Sequence, residues 1–87
     1  MLDRAWALAP EVSVRPERFG ALLYHFGTRR LSFLKDRRLL SVVEHLAEVA
    51  TAREACVLAG VDDDALGRYE QAIERLVAAD MVRERAA

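Results

Sequence analysis

The chain has 87 residues, a formal net charge of −1, 53% hydrophobic and 31% charged residues. This allows one globular domain with a modest core and leaves little room for a deep catalytic cavity. The near-neutral balance gives no general attraction to nucleic acid or to an anionic membrane, and the single cysteine, Cys56, excludes an intrachain disulfide and suits a reducing compartment.

Residues 1–11 read as an irregular or short helical arm whose Trp6 packs on the body. Pro10 and Glu11 interrupt any signal-like apolar core there, and no apolar run approaches the roughly 20 residues that span a bilayer. A cytoplasmic protein is therefore expected. Val12-Ser13-Val14-Arg15 alternates with the period of a half-buried strand, which Pro16 is expected to end. Ala21 to Phe26, rich in large apolar and aromatic residues and bracketed by Gly20 and Gly27, predicts a second strand. Gly27-Thr28 supplies a turn and Leu31-Ser32-Phe33-Leu34 a third strand, so three short strands make an antiparallel sheet.

The period then changes. Leu39, Val42, Val43, Leu46 and Ala47 recur at helical spacing, which predicts a helix over about 36–49 with Asp36 as N-cap. Thr51 with Glu54 three residues on matches a capping box for a second helix, whose apolar face is Ala52, Ala55, Cys56 and Ala59 and which Gly60 stops. Asp62-Asp63-Asp64 opens a third helix with the stripe Leu66, Tyr69, Ile73, Leu76 and Val77. Three strands followed by three helices give an α+β domain with its helices on one side of the sheet.

Chemistry is scarce. Ser13, Ser32 and Ser41 lie outside any nucleophile motif, and Cys56 falls on an apolar stripe, where a core thiol is expected. His25 and His45 lack metal-ligand spacing. The Asp62–Asp64 run lacks the glycine and distal glutamate of a calcium loop, so helix capping is the expected role. These features predict a non-enzyme without cofactor or metal.

One charge feature departs from the average: Arg29, Arg30, Lys35, Arg37 and Arg38 against Asp36 make residues 29–38 net +4. Such a segment serves either as a solvated hairpin rim or as a surface that steers an acidic partner toward the third strand.

The run Phe19-Gly20-Ala21-Leu22-Leu23-Tyr24-His25-Phe26-Gly27-Thr28-Arg29-Arg30-Leu31-Ser32-Phe33-Leu34-Lys35 closely resembles the mycofactocin-system peptide chaperones. The flanking Val14-Arg15-Pro16, the leucine-rich first helix and Ala79-Asp80-Met81-Val82 agree, so the resemblance covers nearly the whole chain. That family looks like a branch of the precursor-peptide recognition elements, which include the chaperone of pyrroloquinoline quinone biosynthesis. The resemblance implies a single winged-helix-like domain over residues 1–87. It also implies a function: to hold the acidic leader of a short ribosomal precursor peptide and present it to a radical S-adenosylmethionine maturase, with no chemistry of its own.

By the same resemblance the leader adds as a strand beside the third strand, with the third helix closing the groove. The peptide-binding residues it implies are Arg29, Arg30, Leu31, Ser32, Phe33, Leu34 and Lys35, and on the helix Tyr69, Ala72, Ile73, Leu76 and Ala79. Tyr69, Ile73 and Leu76 equally suit a place in the core, whereas small Ala72 and Ala79 leave space for a leader side chain. A free edge can also pair with its own copy, so a homodimer is compatible with this reading. The alternative function for a winged helix, a DNA-binding regulator, fits the third helix poorly, because Arg68 and Arg75 are outnumbered there by Asp62, Asp63, Asp64, Glu70 and Glu74.

Overall fold

The computed structural model describes residues 1–85. The chain forms strands β1 (Trp6–Leu8), β2 (Val12–Glu17), β3 (Gly20–His25) and β4 (Leu31–Leu34). Helices α1 (Arg37–His45), α2 (Ala52–Leu58) and α3 (Leu66–Ala78) follow, and then β5 (Val82–Glu84). Short 3₁₀ turns at Leu46–Glu48 and Asp63–Ala65 extend α1 and precede α3. The architecture is α+β: a three-stranded antiparallel sheet in the order β2-β3-β4, three helices, and a separate β1-β5 pair.

Alternation along the strands sorts the side chains between two faces. Ala21, Leu23 and His25 of β3 and Leu34 of β4 are buried on the face that meets the helices. Leu22, Tyr24, Leu31 and Phe33 occupy the opposite face, where the register aligns Tyr24 with Leu31 and Leu22 with Phe33. The helices close the core with Leu39, Val42, Val43 and Leu46 of the first helix and its 3₁₀ extension, Ala52, Ala55 and Cys56 of α2, and Tyr69, Ile73 and Leu76 of α3. The small residues of α2 let that helix sit close to the core, and burial pushes the Cys56 thiol pKa up, away from reactivity.

The β4–α1 junction lies so close to Gly20 that a Cβ there would stand 2.0 Å from the Leu34 carbonyl oxygen, and its φ of +154° favours glycine as well. Asp36 caps α1 by accepting from the Arg38 amide at 2.7 Å. Thr51 caps α2 by accepting from the Glu54 amide at 3.3 Å, while the Glu54 carboxylate reaches back to the Ala50 amide at 3.1 Å. Gly60 ends α2 at φ +82°, with Gly60 donating to Val57 and Val61 to Cys56, the two bonds of a Schellman motif. Asp62 caps the turn ahead of α3, where its carboxylate accepts from the Ala65 amide at 3.2 Å.

Three expectations need correction. The arm is neither irregular nor helical: Trp6, Ala7 and Leu8 form β1, aligned with Glu84, Arg83 and Val82 of β5. Carbonyls of Leu2 and Arg4 also accept from the Arg53 and Ala52 amides, satisfying donors that the start of α2 leaves open. Trp6 is half-buried against the core, and its indole N–H donates to the Met1 carbonyl at 2.9 Å. Second, Pro16 does not end β2; it lies within the strand opposite Ala21, tolerated because β2 is an edge strand. Third, the α-helical part of the first helix stops at His45 rather than near residue 49.

Candidate functional site: the edge of β4 and the face of α3

β4 pairs with β3 alone among the described residues. His25 donates its amide to the Arg30 carbonyl at 3.0 Å. In an antiparallel ladder the bonded and non-bonded pairs alternate, and from that starting point the Tyr24–Leu31 and Leu22–Phe33 pairs are the non-bonded ones. The amides and carbonyls of Leu31 and Phe33 therefore point away from β3, toward the free edge. Two donors and two acceptors stand along that edge in the spacing that a further strand requires.

A groove runs between this edge and α3. Its larger part, about 440 Å³, has Phe33 and Lys35 on the strand side and Arg68, Tyr69, Ala72 and Arg75 on the helix side, with Asp36 and Leu39 at the floor. A second part of about 210 Å³ shares Phe33, Leu39, Ala72 and Arg75 and adds Ser32, Leu34 and Leu76. Ala72 leaves the central gap, since any larger residue one helical turn from Leu76 and Tyr69 would fill it.

Tyr69 ties the two walls together. Its hydroxyl donates to the Asp36 carboxylate, which follows β4 directly. Burial raises the Tyr69 pKa, and Asp36 raises it further. Burial alone would also raise the Asp36 carboxyl, but the hydrogen bonds from Tyr69 and from the Arg38 and Leu39 amides outweigh it and hold the carboxyl below its ordinary value. The Arg68 guanidinium lies 5.5 Å from the Tyr69 ring centre, within cation–π range.

The residues implied by the resemblance fall into three places. Ser32, Phe33, Leu34, Lys35, Tyr69, Ala72 and Leu76 come together around the groove. Arg29, Arg30 and Leu31 do not line it: both arginines occupy the β3–β4 loop, and Leu31 is 53% exposed on the opposite face of the sheet. Ile73 is fully buried and packs in the core, while Ala79 is the half-buried C-cap of α3. The structure adds Asp36, Leu39, Arg68 and Arg75. The helical period carried the signal for the arginines, because positions 68, 72 and 75 share one face of α3. Counting charge over the whole helix concealed it. Lys35, Arg68 and Arg75 make the groove cationic although α3 as a whole is net neutral, Glu70 and Glu74 balancing its two arginines, and none of the three pairs with a carboxylate among the described residues.

The arrangement can hold an extended segment by its backbone, seat an apolar side chain at Ala72, and attract carboxylates at the rim. No helix among the described residues is long and apolar enough to cross a membrane.

Comparison with known proteins gives the family of the chain. The family profile described as the Peptide chaperone MftB family matches residues 5–83. Over 80 residues, 92% of this chain, the sequence is 55% identical to Peptide chaperone MftB of Mycobacterium tuberculosis, of which it covers 73%. Proteins of the same name from Mycobacterium ulcerans and Mycolicibacterium smegmatis are 54% and 52% identical over the same length, with 73% and 78% of those chains covered. No solved structure matches. A profile spanning nearly all of the chain, with relatives at this identity, places the protein by descent: it belongs to the Peptide chaperone MftB family.

Proposed function

We propose that this protein holds the leader of a ribosomal precursor peptide in the mycofactocin pathway and presents it to a radical S-adenosylmethionine maturase. The leader adds as a strand along β4, bonding to the outward amides and carbonyls of Leu31 and Phe33. Its alternate side chains enter the groove, where Ala72, Leu34, Leu39 and Leu76 receive an apolar residue and Lys35, Arg68 and Arg75 receive acidic ones. Arg29 and Arg30, on the loop just before β4, add to the positive field that steers an acidic peptide toward the edge. The protein contributes binding and orientation, and the chemistry belongs to the maturase.

The observation that carries this reading is a free strand edge facing a cationic groove of peptide dimensions. Calorimetric titration with synthetic precursor peptide tests it, using the full-length peptide and a version lacking its N-terminal leader. Saturable binding of the first alone is expected. Equal binding of both, or of neither, overturns the proposal.

A further inference from the structure

The face of the three-stranded sheet turned away from the helices is apolar and uncovered. Phe26, Phe33 and Leu31 are 62%, 59% and 53% exposed there, joined by Phe19 and the half-buried Leu22 and Tyr24. The rings are paired: Tyr24 and Phe26 meet edge to face at 5.1 Å, and Phe19 and Phe33 lie tilted at 6.2 Å. Phe19, Phe33 and Lys35 border a shallow, open depression of about 370 Å³ on this side. Exposed aromatic groups gathered on one side of so small a domain mark a surface meant to be covered.

The charges around the patch say by what. Lys35 lies at one end, and Arg29 and Arg30 lie in the loop joining Phe26 to Leu31 at the other. Among the described residues none of these three pairs with a carboxylate. The acid on this side, Glu17, is already neutralised by Arg15 at 2.8 Å. An apolar centre with a cationic rim fits an apolar surface rimmed by Asp and Glu. A second copy would bring the same cations against these and be repelled. Single-stranded nucleic acid would need flat stacking platforms, whereas Tyr24 and Phe26 stand at 88° to each other. The patch is also continuous with the groove, because Phe33 borders both.

We infer that this outer face is a second docking surface, distinct from the peptide groove, and that it takes an acid-rimmed apolar surface of the enzyme that acts on the bound peptide. The inference rests on the presenting role proposed above. A leader strand laid along β4 would widen the same face on its open side, so the partner would cover chaperone and peptide together.

The test separates the two surfaces through residues outside the groove. Phe26→Asp, and separately Tyr24→Ser with Phe26→Ser, are titrated with synthetic precursor peptide and with the purified radical S-adenosylmethionine maturase of the mycofactocin system. Phe26 is so exposed that the single variant keeps the fold, which circular dichroism checks. Maturase affinity is expected to fall about tenfold or more in Phe26→Asp, with leader affinity unchanged. Unchanged maturase affinity overturns the inference. So does loss of a sedimenting dimer, or of oligothymidylate binding, on the same substitution, since either identifies a different occupant. Failure of the wild-type protein to bind leader peptide would instead remove the presenting role itself, which the titration with peptide alone reports separately.

Discussion

The imidazole of His25 and the carboxylate of Asp80 face each other, with Nε2 3.4 Å from Oδ2. On the other side of the ring, Nδ1 accepts from the amides of Gly27 and Thr28, each at 3.0 Å. An acceptor at Nδ1 places the neutral ring's proton on Nε2, toward Asp80. His25 thus shapes the loop leading into β4 and sets it beside the end of α3. Asp80 itself sits at φ +60°, closing the helix with the bonds Asp80 to Val77 and Met81 to Leu76.

His25→Ala leaves two loop amides without an acceptor and opens a cavity at a residue only 2% exposed. A loss of about 2–4 kcal/mol is expected, chiefly from the packing lost at a buried side chain, with a smaller part from the loop hydrogen bonds. Urea unfolding measures it. A change near zero would show that the loop holds its shape without the ring.

Acid should weaken the protein in a definite window. Hydrogen bonds from the Arg83 guanidinium hold the Glu11 and Asp80 carboxyls below their ordinary values, and those from Tyr69 and two backbone amides outweigh burial to do the same for Asp36. A carboxyl depressed in the folded state leaves that state with fewer bound protons than the unfolded chain. Its stabilisation is complete above the unfolded pKa and is lost as pH falls through the folded one. The urea midpoint is expected to hold from neutrality to about pH 5 and to drop below it. Glu11→Gln combined with Asp80→Asn should start less stable and fall less steeply. Parallel acid limbs for wild type and variant would contradict this assignment.

The free edge makes a sharp comparison between two leucines. Leu31→Pro removes an amide that points away from β3, so the existing ladder keeps its bonds while an incoming strand loses a donor. Leu23→Ala removes a fully buried side chain, costs about 2–5 kcal/mol of stability, and leaves the edge intact. Leader affinity should fall about tenfold or more in folded Leu31→Pro and change little in folded Leu23→Ala. Calorimetry after confirming each fold by circular dichroism decides it, and the reverse order would exclude strand addition at β4.

Arg68→Gln with Arg75→Gln removes two groove cations without touching the strand edge. Leader affinity is expected to fall several-fold at low salt, with the gap to wild type closing as ionic strength rises and charges are screened. A deficit independent of salt would mean that the arginines serve packing rather than attraction of an acidic peptide.

The legible parts of the fold were those written in local pattern. The alternation in Leu31–Leu34, the 3.6 period from Leu39 to Leu46 and the capping chemistry of Asp36, Thr51 and Gly60 each act within a few residues, so the chain states them directly. β1 and β5 are three residues each, too short for any period. They become strands through a pairing of Trp6 with Glu84 that local pattern does not reveal. The groove shows the same division, because Ala72 could be expected there while the roles of Arg68 and Arg75 required the orientation of α3 against β4.

The sequence by itself determined the class of the domain, its main sheet, its three helices and the kinship of the 19–35 run. Tertiary structure decided which edge of the sheet borders α3, which helical residues face it, and that α3 presents its cations there. The reason is that backbone pattern and capping are set over a turn or two, whereas exposure and electrostatic field depend on which distant segments pack together.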